Sequence, residues 1–179
     1  MARSLYASLQ NKLGGRLHTW YCASRPFTLT ASIVPIFVGS ALAYQERQVS
    51  LLLFSMMLVA SVLVQVGANL VDEYSDHLRS EGREKVLAPY KVIALGLLQP
   101  QQVRKGAVTC FGIATIIGLY LVAVVGWPIL ALSLVILSVA YLYAGGPKPL
   151  GAFAIGQPLV FIFMGLAMVT GSYYVHTSA

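Results

Sequence analysis

Five long apolar segments dominate this sequence and constrain its fold more than any other feature. They cover about residues 27–44, 51–71, 106–125, 129–143 and 150–174. A helix needs roughly 20 apolar residues to cross the hydrocarbon core of a bilayer. With 58% hydrophobic and only 10% charged residues, the chain lies well outside the range of soluble globular proteins. The sequence therefore predicts an all-α, polytopic membrane helix bundle with about five transmembrane helices.

Residues 1–24 come before the first apolar segment and predict an amphipathic lead-in on the cytoplasmic membrane surface. They contain no uninterrupted apolar run and no clear cleavage site, which argues against a cleaved signal peptide. A leucine instead recurs at every fourth position, as on one face of a helix. These leucines are Leu5, Leu9, Leu13 and Leu17.

A polar stretch at 72–105 separates the second and third apolar segments. Its short apolar piece at 92–98 predicts a surface-lying helical segment, and Pro100 suits the first turn of the next helix. With a cytoplasmic N-terminus, this stretch and the turn at 145–149 are cytoplasmic too, and of the 12 lysines and arginines only Arg47 lies outside. The sequence therefore predicts a multi-pass protein of the cytoplasmic (inner) membrane.

The basic residues and the cysteines exclude several other classes of protein. The net charge of +6 comes from scattered residues, without a basic run or basic–aromatic interleaving, which favours membrane lipid and phosphate over nucleic acid as partners. Cys22 and Cys110 are far apart and show neither CxxC metal spacing nor a disulfide framework. We interpret both cysteines as small apolar filling residues.

The acidic residues are concentrated directly after the second apolar segment. Five of the six lie within thirteen positions, at Asp72, Glu73, Asp76, Glu81 and Glu84. Carboxylates at the border of the hydrocarbon are costly unless they bind something. If the helix continues by one or two turns, four oxygen-bearing side chains share one face, namely those of Asn69, Asp72, Glu73 and Asp76. Because Mg²⁺ prefers oxygen ligands and often completes its shell with substrate phosphates, these four are the predicted metal ligands.

A diphosphate carried by that metal also needs cationic donors. Four basic residues follow in the same polar stretch, at Arg79, Arg83, Lys85 and Lys91, and Arg25 stands at the head of the first helix. We predict that the four residues bind the diphosphate. The alternative is a solvated loop at 72–91 whose mixed charges only keep the helix ends soluble, and it suits Glu81 and Glu84 best.

Four motifs in order resemble a known family. The string Gly-Ala-Asn-Leu-Val-Asp-Glu-Tyr-Ser-Asp at 67–76 is similar to the first aspartate-rich motif of the UbiA-type intramembrane prenyltransferases. Within them it is most similar to the 1,4-dihydroxy-2-naphthoate prenyltransferases of menaquinone synthesis. The other motifs are Arg-Pro-Phe-Thr-Leu at 25–29, Lys-Val-Leu-Ala-Pro-Tyr-Lys-Val at 85–92 and Tyr-Ala-Gly-Gly-Pro-Lys-Pro-Leu-Gly at 143–151.

The resemblance implies an all-helical enzyme that transfers a polyprenyl group from polyprenyl diphosphate to an aromatic acceptor such as 1,4-dihydroxy-2-naphthoate, with Mg²⁺ as cofactor. Asp72 and Asp76 match positions that hold Mg²⁺ in the family. Lys85 and Lys91 match basic positions expected to hold diphosphate, and Arg25 matches an arginine near the substrate pocket. Asp72, Asp76 and Arg25 are accordingly the expected catalytic residues.

The same family has about nine helices and a second aspartate-rich motif, whereas this chain has no acidic residue after Glu84. We therefore interpret residues 25–179 as the N-terminal part of a prenyltransferase membrane domain. A C-terminal half or a second polypeptide is the expected partner, and the chain alone is expected to lack catalytic activity.

Other functions stay open at this stage. The main alternative is a non-catalytic membrane subunit that binds isoprenoid diphosphate or lipid for a partner. Within the family, a phenolic or a glycerol-phosphate lipid acceptor is also compatible with the motifs. A CDP-alcohol phosphatidyltransferase is disfavoured because its Asp-Gly-x-x-Ala-Arg signature is absent, and a cation transporter because the later apolar segments contain no acidic residue.

Overall fold

The computed structural model describes residues 15–46, 49–80, 90–144, 150 and 156–178. Within them the chain forms six helices, and a short 3-10 turn at Pro26–Thr28 joins the first two. The helices are α1 Gly15–Ala23, α2 Thr30–Tyr44, α3 Leu51–Ser80, α4 Pro100–Val125, α5 Trp127–Ala144 and α6 Gly156–Ser178. The middle of α6, Phe161–Ala167, is wound as a π-helix.

Four of these helices are long and apolar enough to cross a membrane, and α5 is a shorter apolar helix. The predicted all-α membrane bundle is therefore confirmed. The crossing segments are Pro26–Tyr44, Leu51–Arg79, Pro100–Val125 and Gly156–Ser178. Large apolar side chains remain exposed along the outer faces of the bundle, such as Phe37, Ile116 and Phe161, as expected where lipid replaces water.

The second apolar segment continues as a helix well beyond residue 71, to Ser80. Its 30 residues make a rod about 45 Å long at 1.5 Å per residue, whereas a hydrocarbon core is about 30 Å thick. The last turns of α3 therefore carry the acidic motif beyond the apolar part of the bundle. We refer to this end of the bundle as the charged end.

Helix α4 begins at Pro100, as the sequence predicts. Gln99 precedes it in an extended conformation, and the Gln99 backbone N–H donates to Gln102 Oε1 at 2.9 Å. A proline at the first helical position loses no hydrogen bond, because that N–H has no partner within the helix.

The prediction of a surface-lying helical segment at 92–98 was wrong. These residues form consecutive turns, and Gly96 adopts a left-handed φ of 72°, which stops a regular helix. Four apolar side chains of the segment are buried rather than lying on the surface: Val92, Ile93, Leu95 and Leu98. Three of them pack with Leu70, Val103 and Ala23 in an apolar core at the charged end.

Small residues bring the helices into close contact, as is usual in membrane bundles. Helix α3 packs along α4, where Gly67 faces the ring of Phe111, and α2 packs along α6. A Cβ at Gly39 would overlap the α6 backbone. Helix α1 packs against α4 through Trp20, which covers Gly106.

The structure does not test the amphipathic lead-in at 1–24 or the membrane orientation, so both remain predictions. Of the four leucines at every fourth position, the structure describes only Leu17, whose side chain is exposed. The other three lie in 1–14, outside the described residues. The domain boundaries at 24 and 25 are likewise predictions.

Candidate functional site

A cavity of about 910 Å³ lies between helices α2 to α6. Along α3 its wall runs from Met57 to Arg79, which is about 33 Å of helix at 1.5 Å per residue. Most of the wall is apolar, and charged side chains occur only at one end among the residues that line it. The polar groups at this charged end are Arg25, Asn69, Asp72, Asp76 and Arg79.

Arg25 joins the bend before α2 to the acidic face of α3. Its Nη1 lies 2.6 Å from Asp72 Oδ2, and its guanidinium stands 4.5 Å from the centre of the Tyr90 ring. The residue adopts a left-handed φ of 50°, uncommon for a side chain other than glycine. Its Nε and Nη2 are buried without a hydrogen-bond partner among the residues that the structure describes. Arg25 therefore retains donor capacity beside the cavity.

Asp76 lies one helical turn beyond Asp72 and is paired with two cations. Arg79 Nη2 contacts its Oδ1, and Lys91 Nζ contacts its Oδ2. The two aspartate side chains are 30% and 31% exposed, and both line the cavity. The structure therefore brings Asp72, Asp76, Arg79 and Lys91 together, as expected from the sequence.

Glu73 is directed away from the cavity. Its side chain is only 2% exposed, and Oε1 accepts a hydrogen bond of 3.0 Å from the Ile93 backbone N–H. Its other oxygen, Oε2, lies 3.9 Å from Arg25 Nη2 and 4.0 Å from Lys91 Nζ. In this conformation Glu73 ties the segment after residue 90 to α3.

The Asn69 side chain holds the bend between α1 and α2. Its Nδ2 donates to Ser24 O at 2.7 Å and to Thr28 Oγ1 at 2.8 Å. Thr28 Oγ1 in turn donates to Arg25 O at 2.9 Å, so the network supports the backbone that places Arg25. Because both amide hydrogens are used, only Asn69 Oδ1 is available to a ligand.

The donor set fits Mg²⁺ only in part. Within the described ranges, three or more acidic, histidine or cysteine side chains do not converge as a metal-binding group. The four predicted ligands are thus not gathered on one point, since Glu73 faces Ile93. Asp72 and Asp76 nevertheless provide two partly exposed carboxylates on the cavity wall with Asn69 Oδ1 nearby, and Mg²⁺ commonly takes one or two carboxylates, phosphates and water.

Arg83 and Lys85, together with Glu81 and Glu84, lie outside the described residues, so their predicted roles remain predictions. The sequence analysis missed Tyr90, which stacks on Arg25, and Gln65, which lines the cavity. Gln65 precedes Asn69 by four positions, so helical periodicity contains a signal for it. The contact of Tyr90 with Arg25 has no such signal, because the two residues are distant in sequence.

The Cys22 thiol belongs to the packing around α1 rather than to the cavity. Burial raises the pKa of this thiol, and its Sγ lies 3.7 Å from His18 Nδ1. A thiol with a raised pKa is protonated at neutral pH and a poor nucleophile. This environment agrees with the interpretation of Cys22 as a filling residue.

Comparison with known proteins agrees with the resemblance seen in the sequence motifs. A family model described as "UbiA prenyltransferase family" matches residues 32–179. The 1,4-dihydroxy-2-naphthoate octaprenyltransferase of Bacillus subtilis is 34% identical over 154 residues, which are 86% of this chain and 50% of that protein. The Escherichia coli protein of the same description is 29% identical over 168 residues, 89% of this chain and 54% of that protein. The chain therefore spans about half the length of these relatives.

Proposed function

Because the chain belongs to the UbiA prenyltransferase family, we propose that it takes part in the Mg²⁺-dependent transfer of a polyprenyl group from polyprenyl diphosphate to an aromatic acceptor in quinone synthesis. One observation carries the proposal. Two carboxylates and a set of cations stand together at one end of a long apolar cavity inside a membrane bundle. A ligand with a charged head and an isoprenoid tail fits this site, because the head suits the charged end and the tail suits the apolar cavity wall.

Among the residues that the structure describes, the acidic side chains of α3 at the charged end form ion pairs. Three carboxylates, Asp72, Glu73 and Asp76, are paired with three cations, Arg25, Arg79 and Lys91. Charges buried in pairs cost less than isolated ones, so the chain can hold both signs close to the apolar core. The same groups can then exchange partners, since the carboxylates suit a metal ion and the cations suit phosphate oxygens.

In the proposed reaction Asp72 and Asp76 hold Mg²⁺, which when bound neutralises negative charge on the departing diphosphate. Arg25, Arg79 and Lys91 donate N–H groups to phosphate oxygens and stabilise the same charge. The carbon–oxygen bond of the prenyl diphosphate breaks with its electron pair going to oxygen, and an electron-rich ring carbon of the acceptor forms the new bond. That ring carbon then loses its proton to the diphosphate or to water, which restores the aromatic ring. The apolar cavity wall surrounds the prenyl chain and excludes water from the cationic carbon.

The proposed acceptor is 1,4-dihydroxy-2-naphthoate or a close analogue, because the relatives from Bacillus subtilis and Escherichia coli are described as acting on it. The test incubates the purified chain in lipid vesicles with octaprenyl diphosphate, the naphthoate and Mg²⁺. A prenylated naphthoate that disappears when the metal is chelated would support the proposal, and it would overturn the expectation from the sequence that the chain alone lacks catalytic activity. Transfer that is unaffected by chelation would contradict the proposed role of Asp72 and Asp76.

A second candidate function uses the same charged end and cavity without catalysis. In it the chain is a binding subunit that holds polyprenyl diphosphate for a partner polypeptide, with the head at the paired carboxylates and cations and the tail in the cavity. Calorimetry with inorganic diphosphate separates the two functions. Binding that requires Mg²⁺, without product, favours the binding subunit, whereas product favours the enzyme.

We also propose the cytoplasmic membrane as the location, with the N-terminus and the charged end on the cytoplasmic side. The distribution of lysine and arginine supports this orientation. Two variants, Ser55→Cys in the apolar part of α3 and His77→Cys at the charged end, provide the test in intact cells, each made in a chain whose own Cys22 and Cys110 are replaced with Ala. A membrane-impermeant maleimide should leave both unlabelled, whereas it should label His77→Cys in inverted vesicles.

A further inference from the structure

Gln65 is the first polar residue of the cavity wall below Asn69, on the same face of α3. Ser32 Oγ of α2 donates to Gln65 Oε1 at 3.0 Å, which fixes the orientation of the amide. Its Nε2 consequently faces the other way and lies 3.5 Å from Asn69 Oδ1, a long contact. Both Gln65 and Ser32 line the cavity. The amide therefore presents N–H donor capacity to the cavity interior.

The depth of Gln65 matches the place where an acceptor ring has to lie. Along α3 it is about 10 Å further into the bundle than Asp72, at 1.5 Å per residue. If the diphosphate lies at the charged end, the prenyl carbon that reacts is the first carbon below it. The ring carbon that attacks must contact that carbon, so the ring occupies the level just below the diphosphate.

Several hydroxyl groups on the same wall are already engaged by the backbone. Ser61 Oγ donates to Leu58 O at 2.9 Å, and Thr115 Oγ1 donates to Phe111 O at 2.8 Å. Ser172 Oγ donates to Ile36 O at 3.0 Å. Each hydroxyl has a single hydrogen, so these three have no donor left for a ligand. Within the described part of the chain, the two amide hydrogens of Gln65 make only the long contact with Asn69.

We infer that Gln65, oriented by Ser32, determines acceptor specificity by donating a hydrogen bond to a polar substituent of the aromatic ring, a carboxylate or hydroxyl oxygen. This inference rests on the proposed function. In an apolar cavity such a bond separates ligands strongly, because a ring without the oxygen leaves the amide unsatisfied. Gln65 thus selects the ring, whereas Asp72 and Asp76 hold the diphosphate.

The test compares Gln65→Met, which keeps the side-chain length but removes the donors, with the wild-type chain. The matched control is Ser55→Ala on the exposed side of α3, whose single hydroxyl hydrogen is donated to Leu51 O. KM is measured for 1,4-dihydroxy-2-naphthoate, for 1,4-naphthalenediol and for octaprenyl diphosphate, and calorimetry measures inorganic diphosphate binding with Mg²⁺.

We expect Gln65→Met to raise the KM of the naphthoate about tenfold or more, the effect of losing a hydrogen bond to a charged group. The KM of the prenyl diphosphate and the binding of inorganic diphosphate should stay unchanged. If the carboxylate is the recognised group, the diol should be affected less than the naphthoate; if a hydroxyl is, both should be affected equally. Ser55→Ala should match the wild type.

A second variant keeps the test decisive if Gln65→Met folds poorly. Ser32→Ala leaves the amide in place but removes its orienting bond, and should raise the acceptor KM by a smaller factor. An unchanged acceptor KM in folded Gln65→Met, with wild-type transfer intact, overturns the inference alone. If the wild-type chain binds inorganic diphosphate with Mg²⁺ but does not transfer the prenyl group, the dissociation constant of the naphthoate, measured by calorimetry, replaces KM with the same expected change. If it neither transfers the prenyl group nor binds inorganic diphosphate with Mg²⁺, the proposed function fails and the inference fails with it.

Discussion

Two polar regions of this bundle differ in charge. At the charged end, three carboxylates and three cations meet beside the cavity. Between α2 and α6, by contrast, the polar contacts come from Ser40, Ser172 and His176, which we call the α2–α6 seam. Ser40 Oγ lies 3.1 Å from both Ser172 Oγ and His176 Nε2, and all three residues are buried.

Most hydrogen-bonding groups of the seam are used within the helix pair; the exception is His176 Nδ1, which is buried without a partner among the described residues. The Ile36 carbonyl can only accept, so the Ser172 hydroxyl donates to it, and Ser40 must then donate to Ser172. His176 Nε2–H is left to donate to Ser40. At the charged end, by contrast, each ion pair can separate, so that the carboxylate binds a metal ion and the cation binds a phosphate. Polar groups inside a membrane bundle therefore indicate a ligand site where they face a cavity and retain charge or hydrogen-bond donors that a ligand can use.

The largest effect should follow from removing exchangeable charge at the cavity. Replacing Asp72 and Asp76 together with Asn should lower Mg²⁺-dependent transfer by about a thousandfold, as expected when groups that stabilise transition-state charge are lost. Initial rates and diphosphate calorimetry measure the effect. The control is Glu46→Gln, a carboxylate at the opposite end that accepts a hydrogen bond from Tyr173. Unchanged magnesium-dependent affinity in the double variant would show that these aspartates do not form the site.

A smaller effect, on stability, is expected at Glu73. Replacing it with Leu leaves the Ile93 N–H without its acceptor and removes an anion near Arg25 and Lys91, whose side chains are each 14% exposed. Breaking such a buried cluster should cost about 3 kcal/mol. Denaturant unfolding in detergent measures the loss, with Glu46→Leu at an exposed carboxylate as control. If the variant keeps full stability but loses its Mg²⁺-dependent binding of diphosphate, Glu73 would instead be one of the metal ligands.

The close approach of α2 and α6 at Gly39 gives the next effect, which is also on stability. Gly39→Ala places a methyl group against the α6 backbone and should destabilise the chain by about 2 kcal/mol through overpacking. Gly112→Ala is the matched control, because open space surrounds that position on the exposed side of α4, and it should be neutral or slightly stabilising. Thermal unfolding of both variants compares them. Equal stability would mean that α2 and α6 do not approach as closely as the structure shows.

The smallest effect is expected from the polar groups of the seam. Ser40→Ala removes the hydrogen bonds to Ser172 and His176 and should cost about 1 kcal/mol of unfolding free energy. Diphosphate binding should remain at the wild-type level, since the seam contributes no charge to the cavity end. A strong loss of diphosphate affinity in this variant would remove the distinction between the two regions.

Much of the candidate site was predictable because it depends on one helix. Helical periodicity places Asp72 and Asp76 on a common face, and the structure shows both on the cavity wall. Periodicity could not separate Glu73 from them, because it does not say which element covers each side of a helix. The burial of Glu73 depends on Ile93, which arrives from a segment predicted to lie at the surface.

The sequence by itself determined the membrane bundle, the start of α4 at Pro100 and the concentration of acid after the second apolar segment. These features follow from hydropathy, proline geometry and local spacing, which belong to single segments. Only the tertiary structure decided that Arg25 pairs with Asp72, that Lys91 pairs with Asp76 and that Gln65 is oriented by Ser32. Each of these contacts joins residues far apart in the chain, and its free energy depends on how the helices pack.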